Sequence, residues 1–267
     1  HIVQGRVIFP GAGYLEMARA AVCAIAESSA AALKRVYFLQ PLVLDDVDHL
    51  KVAIAVDTNA DRFELSSMTE DGQTVTHCAG DAEATGCTLR GPAVAAALGS
   101  SYAAVDVGVF YEAFRSIGLE YGPEFRALQS LWANRDEGTA VGKLRRRSNC
   151  AGTKVHPADL DGALQQTGLL AETTSGETRL PFMVGEATLI SASGRTCSIV
   201  ERQGADLAGV WLAGLCRGDS PMVRLDSFES RVLKAMAAPV PTRQQHLYVT
   251  PLEAQEAPVG DVACAPP

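Results

Sequence analysis

Residues 11 to 29 carry apolar positions at helical spacing with an uneven cross-section: Tyr14, Leu15, Met17, Ala18, Ala21, Val22 and Ile25 surround the cylinder, while Glu16, Arg19 and Glu27 leave a thin polar stripe. A helix apolar nearly all round is buried nearly all round. Runs of strand character follow it, RVYFLQPLVL, HLKVAIAV, RFELSSM and QTVTHCAG, separated by turn material such as DTNAD and EDG. This order predicts one helix wrapped by the strands after it. The plan recurs further along. Over 157 to 172, Leu160, Ala163, Leu164 and Leu170 stand apolar against a line of Asp161, Gln165 and Glu172, and ATLISAS, TCSIVERQ, GVWLAGLC and MVRLDSF follow as strands. The repeat is one of plan rather than of letters. Between the two, the small and uncharged stretch GPAVAAALGSSYAA (91 to 104) reads as a linker joining a first unit, 1 to 90, to a second, 105 to 238; the Pro- and Ala-rich 239 to 267 reads as an exit linker.

Composition narrows the class. With 267 residues, 47% hydrophobic and 20% charged, the chain can build one large core or two small ones. Its net charge of −8 argues against nucleic-acid binding, which needs a basic face for the phosphates. No apolar run reaches the roughly 18 residues that span a bilayer, and no signal peptide is present, so neither a membrane partner nor an address outside the cytoplasm is expected. The seven cysteines (Cys23, Cys78, Cys87, Cys150, Cys197, Cys216, Cys264) are odd in number, scattered and never in C-x-x-C pairs, which supports neither a disulfide framework nor a zinc site. Most are expected to be small buried apolar residues. The five histidines lack metal-ligand spacing, and no metal is expected.

Four short blocks carry chemistry. His1, Gly5 and Pro10 fit H-x-x-x-G-x-x-x-x-P, with GAGYLEMA directly after; Tyr121, Gly122 and Pro123 lie in GLEYGPEF (118 to 125); His156, Pro157, Asp161 and Gln165 lie in HPADLDGALQ (156 to 165); and Leu180, Pro181 and Phe182 form LPF. In this order the blocks resemble those of dehydratase domains of modular type I polyketide synthases, and the resemblance covers nearly the whole chain. It implies an α+β double hot dog, two tandem units each with a sheet wrapped around one long helix. It implies removal of water from a β-hydroxyacyl thioester, with the substrate carried on the phosphopantetheine of an acyl carrier protein and no cofactor of the domain's own. It also implies neighbouring polyketide synthase domains, with a ketoreductase downstream, and it is compatible with a homodimer. Under it His1 and Asp161 are catalytic, and Gly5, Pro10, Gly122, Pro123, His156, Pro157, Leu180, Pro181 and Phe182 are structural parts of the motifs. Two departures stand out. Val184 occupies the place of the family's tryptophan after LPF, which affects the expected tunnel lining, and the family carries leading strands of the first sheet ahead of the motif histidine with which this sequence begins.

The chemistry can also be argued from the residues. Dehydration needs a base for the weakly acidic α-proton and an acid for the hydroxyl, roles that histidine and a carboxylic acid suit. The thioester oxygen gains negative charge as the proton leaves, and the N–H groups at a helix start bind anions. Gly11, following Pro10, is the expected donor because it has no side chain to block the approach. Asp161, read as lying in the first turn of its helix, meets two opposing effects: the helix dipole favours its ionised form and burial its neutral one. Gln165, one turn on, is placed to orient the carboxyl, and Tyr121 is a candidate second donor to the acid or the substrate hydroxyl.

Plainer readings stand beside these. His1 could be an ordinary terminal histidine, Asp161 a residue favoured only by the dipole, and Tyr121-Gly122-Pro123 merely a turn. His156 before Pro157 is expected to fix a helix start rather than to catalyse, and His77 to be structural. The basic run KLRRR, Lys143 to Arg147, is either a solvated edge or a docking patch for an acidic carrier protein. The functional alternatives are a relative that shifts a double bond or closes a pyran ring, and a non-catalytic acyl-binding domain. Retention of both His1 and Asp161 counts against a pure isomerase.

Overall fold

The computed structural model describes residues 1–45, 50–68, 72–86, 89, 101–147, 149–170, 176–190, 196–214 and 221–233. A short hairpin, β1 (Ile2–Val3) and β2 (Arg6–Val7), leads into helix α1 (Gly11–Ile25). Pro10 stands just outside the helix with φ −73° and ψ 140°, where a residue with fixed φ and no N–H costs nothing. The helix is shorter than the expected 11 to 29. Ala26 caps it, Glu27 enters the left-handed region at φ 48°, and the chain turns into strand β3 (Ala31–Phe38). Tyr14, Leu15, Ala18 and Val22 are buried as the pattern requires, but Ile25, at the last turn, is 55% exposed. The polar stripe also departs from expectation. Glu16 and Arg19 are buried and paired bidentately at 2.6 and 2.7 Å, and Glu16 Oε1 accepts a further bond from the Lys154 N–H at 2.8 Å. Charges three residues apart on a helix read as solvent-facing until a second element covers them.

Strands β4 (Lys51–Asp57), β5 (Arg62–Met68) and β6 (Thr74–Ala84) join β3 in the antiparallel order β4-β5-β6-β3 and enclose α1. In β5 the inward Phe63, Leu65 and Ser67 alternate with the exposed Arg62, Glu64 and Met68, the period of a strand with one wet face. The second unit repeats the arrangement around helix α3 (Pro157–Gln165), with strands β7 (Ala103–Val105), β9 (Leu128–Asn134), β10 (Thr139–Leu144), β11 (Arg179–Leu189), β12 (Thr196–Arg202), β13 (Leu207–Gly214) and β14 (Pro221–Val232) in the order β11-β14-β13-β12-β10-β9-β7. Antiparallel pairing of β3 with β11, from Tyr37 opposite Met183 to Ala31 opposite Leu189, fuses the two into one 11-stranded sheet. The helices α1 and α3 pack on each other inside it. This is a double hot dog.

The second helix ends earlier than the expected 172: a 3-10 turn, Gln166–Leu169, follows Gln165, and Glu172 lies outside the described residues. Positions 91–100 of the expected linker and all of 239–267 also lie outside them, while Ala103–Val105 pairs with β9. The sequence reading passed over helix α2 (Val107–Ser116) and strands β9 and β10. Its signal was present: Asp106 caps α2 by accepting from the Val109 N–H at 2.9 Å, and Val107, Phe110, Tyr111 and Phe114 follow at helical spacing. Cys23, Cys78 and Cys197 are buried and, like Cys150, form no disulfide among the described residues; Cys87, Cys216 and Cys264 are outside the described residues. Among the described residues no helix is long and apolar enough to cross a membrane.

Candidate active site

The first block works as a hairpin. Gln4 and Gly5 both take positive φ, 48° and 81°, between Val3 and Arg6, which face each other, so the two-residue turn has the hand that suits twisted strands. A side chain at Gly5 would be strained there. The free edge of β1 pairs with β8 (Leu119–Glu120), Ile2 opposite Glu120, and the Gln4 N–H donates to the Gly118 carbonyl at 2.8 Å. The next pair outward is His1 and Tyr121, whose rings meet edge to face at 4.8 Å; the Phe125 ring lies at 4.6 Å on the same imidazole. The Ile8 N–H donates to the His1 carbonyl at 2.8 Å, tying His1 to the segment that enters Pro10.

The second block is a capped helix. His156 Nδ1 accepts from the Ala158 N–H at 3.1 Å and Pro157 takes the first helical position, so His156 caps the helix start. Asp161 is the fifth residue of α3, one turn in, and not in the first turn; the acid there is Asp159, paired with Arg147 Nε at 2.6 Å. The helix dipole therefore acts on Asp159 more than on Asp161, since it falls off within the first turn. Asp161 and Gln165 share one face. Gln165 Nε2 donates to Asp161 Oδ2 at 2.6 Å and to the Phe125 carbonyl at 3.0 Å. Asp161 Oδ1 meets His1 Nε2 at 3.2 Å across 160 positions of sequence, with the side chains 9% and 8% exposed.

His156 also gives the site a pH limit. Burial first, and Arg147 second, hold its imidazole below the ordinary value of 6.5. Its proton is thus bound more tightly in the unfolded chain, so its contribution to stability is present above 6.5 and fades as pH falls below it. Thermal unfolding should shift to lower temperature between about pH 7.5 and about pH 5.5, and His156→Asn, which keeps a capping acceptor without a titrating ring, should flatten that slope. An unchanged slope in the variant would remove His156 as its cause.

The other expected residues divide. Tyr121 makes no hydrogen bond to Asp161 and has none from its hydroxyl among the described residues; Gln165 is the donor the carboxyl meets. Burial, then Asp161, then Tyr111 push the Tyr121 hydroxyl far above the ordinary tyrosine value, so it stays protonated. Gly122 and Pro123 do form a turn, with Phe125 and Arg126 N–H groups donating to the Gly122 carbonyl at 3.0 and 3.1 Å. A Cβ at Gly11 would press on Pro181 Cγ at 3.2 Å and Phe38 Cε1 at 3.3 Å. The Gly11 N–H, the first of α1, has no acceptor among the described residues. The LPF block thus packs on the helix start. Pro181, without an N–H, borders a bulge at Phe182 in the β11 to β14 ladder, and the Arg231 guanidinium stacks on the Phe182 ring at 3.3 Å. Val184 fills its position as a fully buried core residue between Val36 and Phe228.

Arg145, although exposed, and the half-buried Arg147 of the basic run are both engaged by the neighbouring loop. Arg145 donates to the Pro123 and Arg126 carbonyls, each at 2.6 Å, and Arg147 bonds Glu124 Oε2 at 2.9 Å and the Glu124 carbonyl at 2.8 Å besides Asp159. Both clamp the 121–126 loop that presents Tyr121 and Phe125 to His1. Lys143 and the exposed Arg146 have no ion-pair partner among the described residues. Sequence reasoning missed Tyr111, whose hydroxyl donates to Gln165 Oε1 at 3.0 Å, because it passed over α2. Among the described residues no cluster of His, Cys, Asp and Glu could hold a metal ion. His77, as expected, is structural, buried between Ser67 Oγ at 2.7 Å and the Gln40 carbonyl at 3.1 Å.

Known proteins resemble this chain in sequence and in fold. The polyketide synthase dehydratase domain profile matches residues 1–70, and the polyketide synthase dehydratase N-terminal domain profile matches residues 90–240, more than half of the chain. Polyketide synthase ThaG of Burkholderia thailandensis is 32% identical over 175 residues, 62% of this chain, and polyketide synthase PksN of Bacillus subtilis is 29% identical over 219 residues, 72% of it. The chain spans only 3% and 4% of those two synthases. Among solved structures, the dehydratase domain from the CurF module of the curacin polyketide synthase superposes with a TM-score of 0.77 at 26% identity, covering 87% of each chain. A trans-AT polyketide synthase dehydratase domain from Brevibacillus brevis gives 0.73 at 26%, covering 88% of each. Two profiles in tandem and the superposed double hot dog agree: the chain belongs to the dehydratase domains of polyketide synthases, lyases that remove water from β-hydroxyacyl intermediates during polyketide chain processing.

Proposed function

We propose that this domain converts a β-hydroxyacyl thioester, delivered on the phosphopantetheine of an acyl carrier protein, to the α,β-unsaturated thioester, with His1 as base and Asp161 as acid. The observation that supports the assignment best is the 3.2 Å approach of His1 Nε2 to Asp161 Oδ1. His1 Nδ1 is buried with no partner among the described residues, so Nε2 is the nitrogen that faces the reaction. His1 takes the α-proton, Asp161 protonates the β-hydroxyl, the C–O bond breaks, and water leaves. The proton gained by His1 then returns to Asp161 along the same contact, which restores both groups without an external acid or base. The Gly11 N–H receives the charge that develops on the thioester oxygen, and Tyr121 donates to the substrate hydroxyl. The chemistry uses no cofactor of the domain's own. Its setting is a cytoplasmic synthase with a ketoreductase among the neighbouring domains, and we take the two hot dog units as 1 to 90 and, with β7, 103 to 238.

Incubation with a 3-hydroxyacyl thioester, followed by mass spectrometry, tests the reading. Loss of water supports it; no loss of water there, with an enoyl thioester whose alkene protons move by NMR at unchanged mass, would establish an isomerase instead, and no change in either substrate a non-catalytic domain. Partner recognition has its own measurement. Replacing Lys143 and Arg146 with Ala should slow turnover of carrier-bound substrate, most at low salt, and leave a small free thioester unaffected. Arg147→Ala should slow both substrates alike, because it releases the 121–126 loop. Equal rates on carrier-bound substrate for the Lys143 and Arg146 variant and the parent would leave those two residues as a solvated edge.

A further inference from the structure

A chain of hydrogen bonds behind Asp161 is anchored at both ends by backbone groups whose polarity cannot change. The Leu128 N–H donates to the Tyr111 hydroxyl oxygen at 3.4 Å, and the Tyr111 O–H donates to Gln165 Oε1 at 3.0 Å. Gln165 Nε2 faces two acceptors, the Phe125 carbonyl at 3.0 Å and Asp161 Oδ2 at 2.6 Å. A flipped amide would set its oxygen against the Phe125 carbonyl and turn its NH₂ toward Tyr111, losing the first bond outright. The amide therefore has one orientation, and in that orientation Oδ2 only accepts.

We infer that this chain fixes the transferable proton of the site on the line between Asp161 Oδ1 and His1 Nε2, and that Tyr111 is a positioning residue for the acid step, acting through Gln165. With Oδ2 occupied by a donor, a protonated Asp161 can carry its hydrogen only on Oδ1. An ionised Asp161 faces His1 with the proton on Nε2, since two bare acceptors 3.2 Å apart would repel. Either way the proton is on the side from which it must travel, and no carboxyl rotation precedes catalysis. Tyr111 suits the task because burial pushes its hydroxyl up to about 12, so it keeps its proton and stays a donor. Its ring is held independently, edge to face against Phe110 at 5.4 Å and Tyr121 at 6.0 Å with the Arg126 guanidinium over it at 5.7 Å, so Tyr111→Phe removes the hydroxyl and keeps the packing.

The inference rests on the assignment of Asp161 as the acid, and its test separates the two. Dehydration of a 3-hydroxyacyl thioester is measured for Tyr111→Phe, Gln165→Ala and the double variant, with Asp161→Asn in parallel. Tyr111→Phe should lower kcat by about 3- to 10-fold, the loss of one ordinary hydrogen bond, with KM moving less than about twofold. The double variant should be no slower than Gln165→Ala alone, because Tyr111 acts through that amide. Multiplying effects, a parental kcat in Tyr111→Phe, or a rise in KM with kcat unchanged would each overturn the positioning role. An active Asp161→Asn would overturn the acid assignment instead. The proton's side is read separately, by nitrogen NMR of His1 in Asp161→Asn. The Gln165 donor should force the new amide to turn its oxygen to Gln165 and its NH₂ to His1, leaving Nε2 bare and Nδ1 protonated; a protonated Nε2 in that variant would refute the fixed polarity.

Discussion

Asp161→Asn should cut dehydration of a 3-hydroxyacyl thioester by on the order of 10²-fold or more, the range for loss of a positioned acid, while the protein folds as before. Asparagine is nearly isosteric and keeps an acceptor for Gln165 Nε2, so the 2.6 Å bond that seats the side chain survives. It lacks only an acidic proton. His1→Ala removes the base, and with it the imidazole that Tyr121 and Phe125 enclose at 4.8 and 4.6 Å. In deuterated water the Asn variant should still incorporate deuterium slowly at the α-carbon, since His1 Nε2 is intact, and the Ala variant should show neither exchange nor dehydration. Near-normal dehydration in Asp161→Asn would take the acid role from Asp161. Loss of exchange together with dehydration would leave that role standing but join proton removal and water departure into one step.

The largest effect on stability should come from Glu16→Ala. It strips the partner from Arg19, whose side chain is 6% exposed, and leaves an uncompensated buried charge at a cost of about 3–5 kcal/mol. It also leaves the Lys154 N–H without its acceptor, and Lys154 lies two residues ahead of the His156 cap. The loss should therefore appear twice, in urea unfolding and in a looser seat for Asp161 that lowers turnover. Replacing both charges, Glu16→Leu with Arg19→Met, should recover most of the stability, because a buried ion pair contributes little over apolar residues of similar volume. A Glu16→Ala variant within about 1 kcal/mol of the parent would show that water reaches Arg19 once the carboxylate is gone.

Three of the four sequence blocks meet at His1, where Tyr121, Phe125 and Asp161 surround the imidazole, and the fourth, LPF, packs on the start of α1. Gly5 is needed for a two-residue turn of defined hand, Pro10 for a helix start, His156 for a cap, and the Asp161 to Gln165 spacing of one helical turn for a side-chain bond; each is a local requirement, set by backbone sterics or a short reach along the chain. Such requirements are written in sequence, and so are the two apolar helices and the strands after them. Helix α2 was equally legible in its Asp106 cap and aromatic spacing, although a reading drawn to the two core helices passed over it.

What sequence could not decide was everything that depends on one unit covering another. The reach of His1 across 160 positions to Asp161, the burial of Glu16 and Arg19 beneath Lys154, and Pro181 filling the space that Gly11 leaves open all arise where the two units pack. Periodicity reports which face of a single helix or strand avoids water, and it assumes that charged residues keep to the wet face. Pairing of β3 with β11 closes the sheet over both helices and puts the charged residues of α1 against the loop that enters α3. The sequence alone determined the local elements and the residue types that the chemistry requires; only the tertiary structure decided which of those residues meet, because that contact is set by the packing of surfaces far apart in the chain.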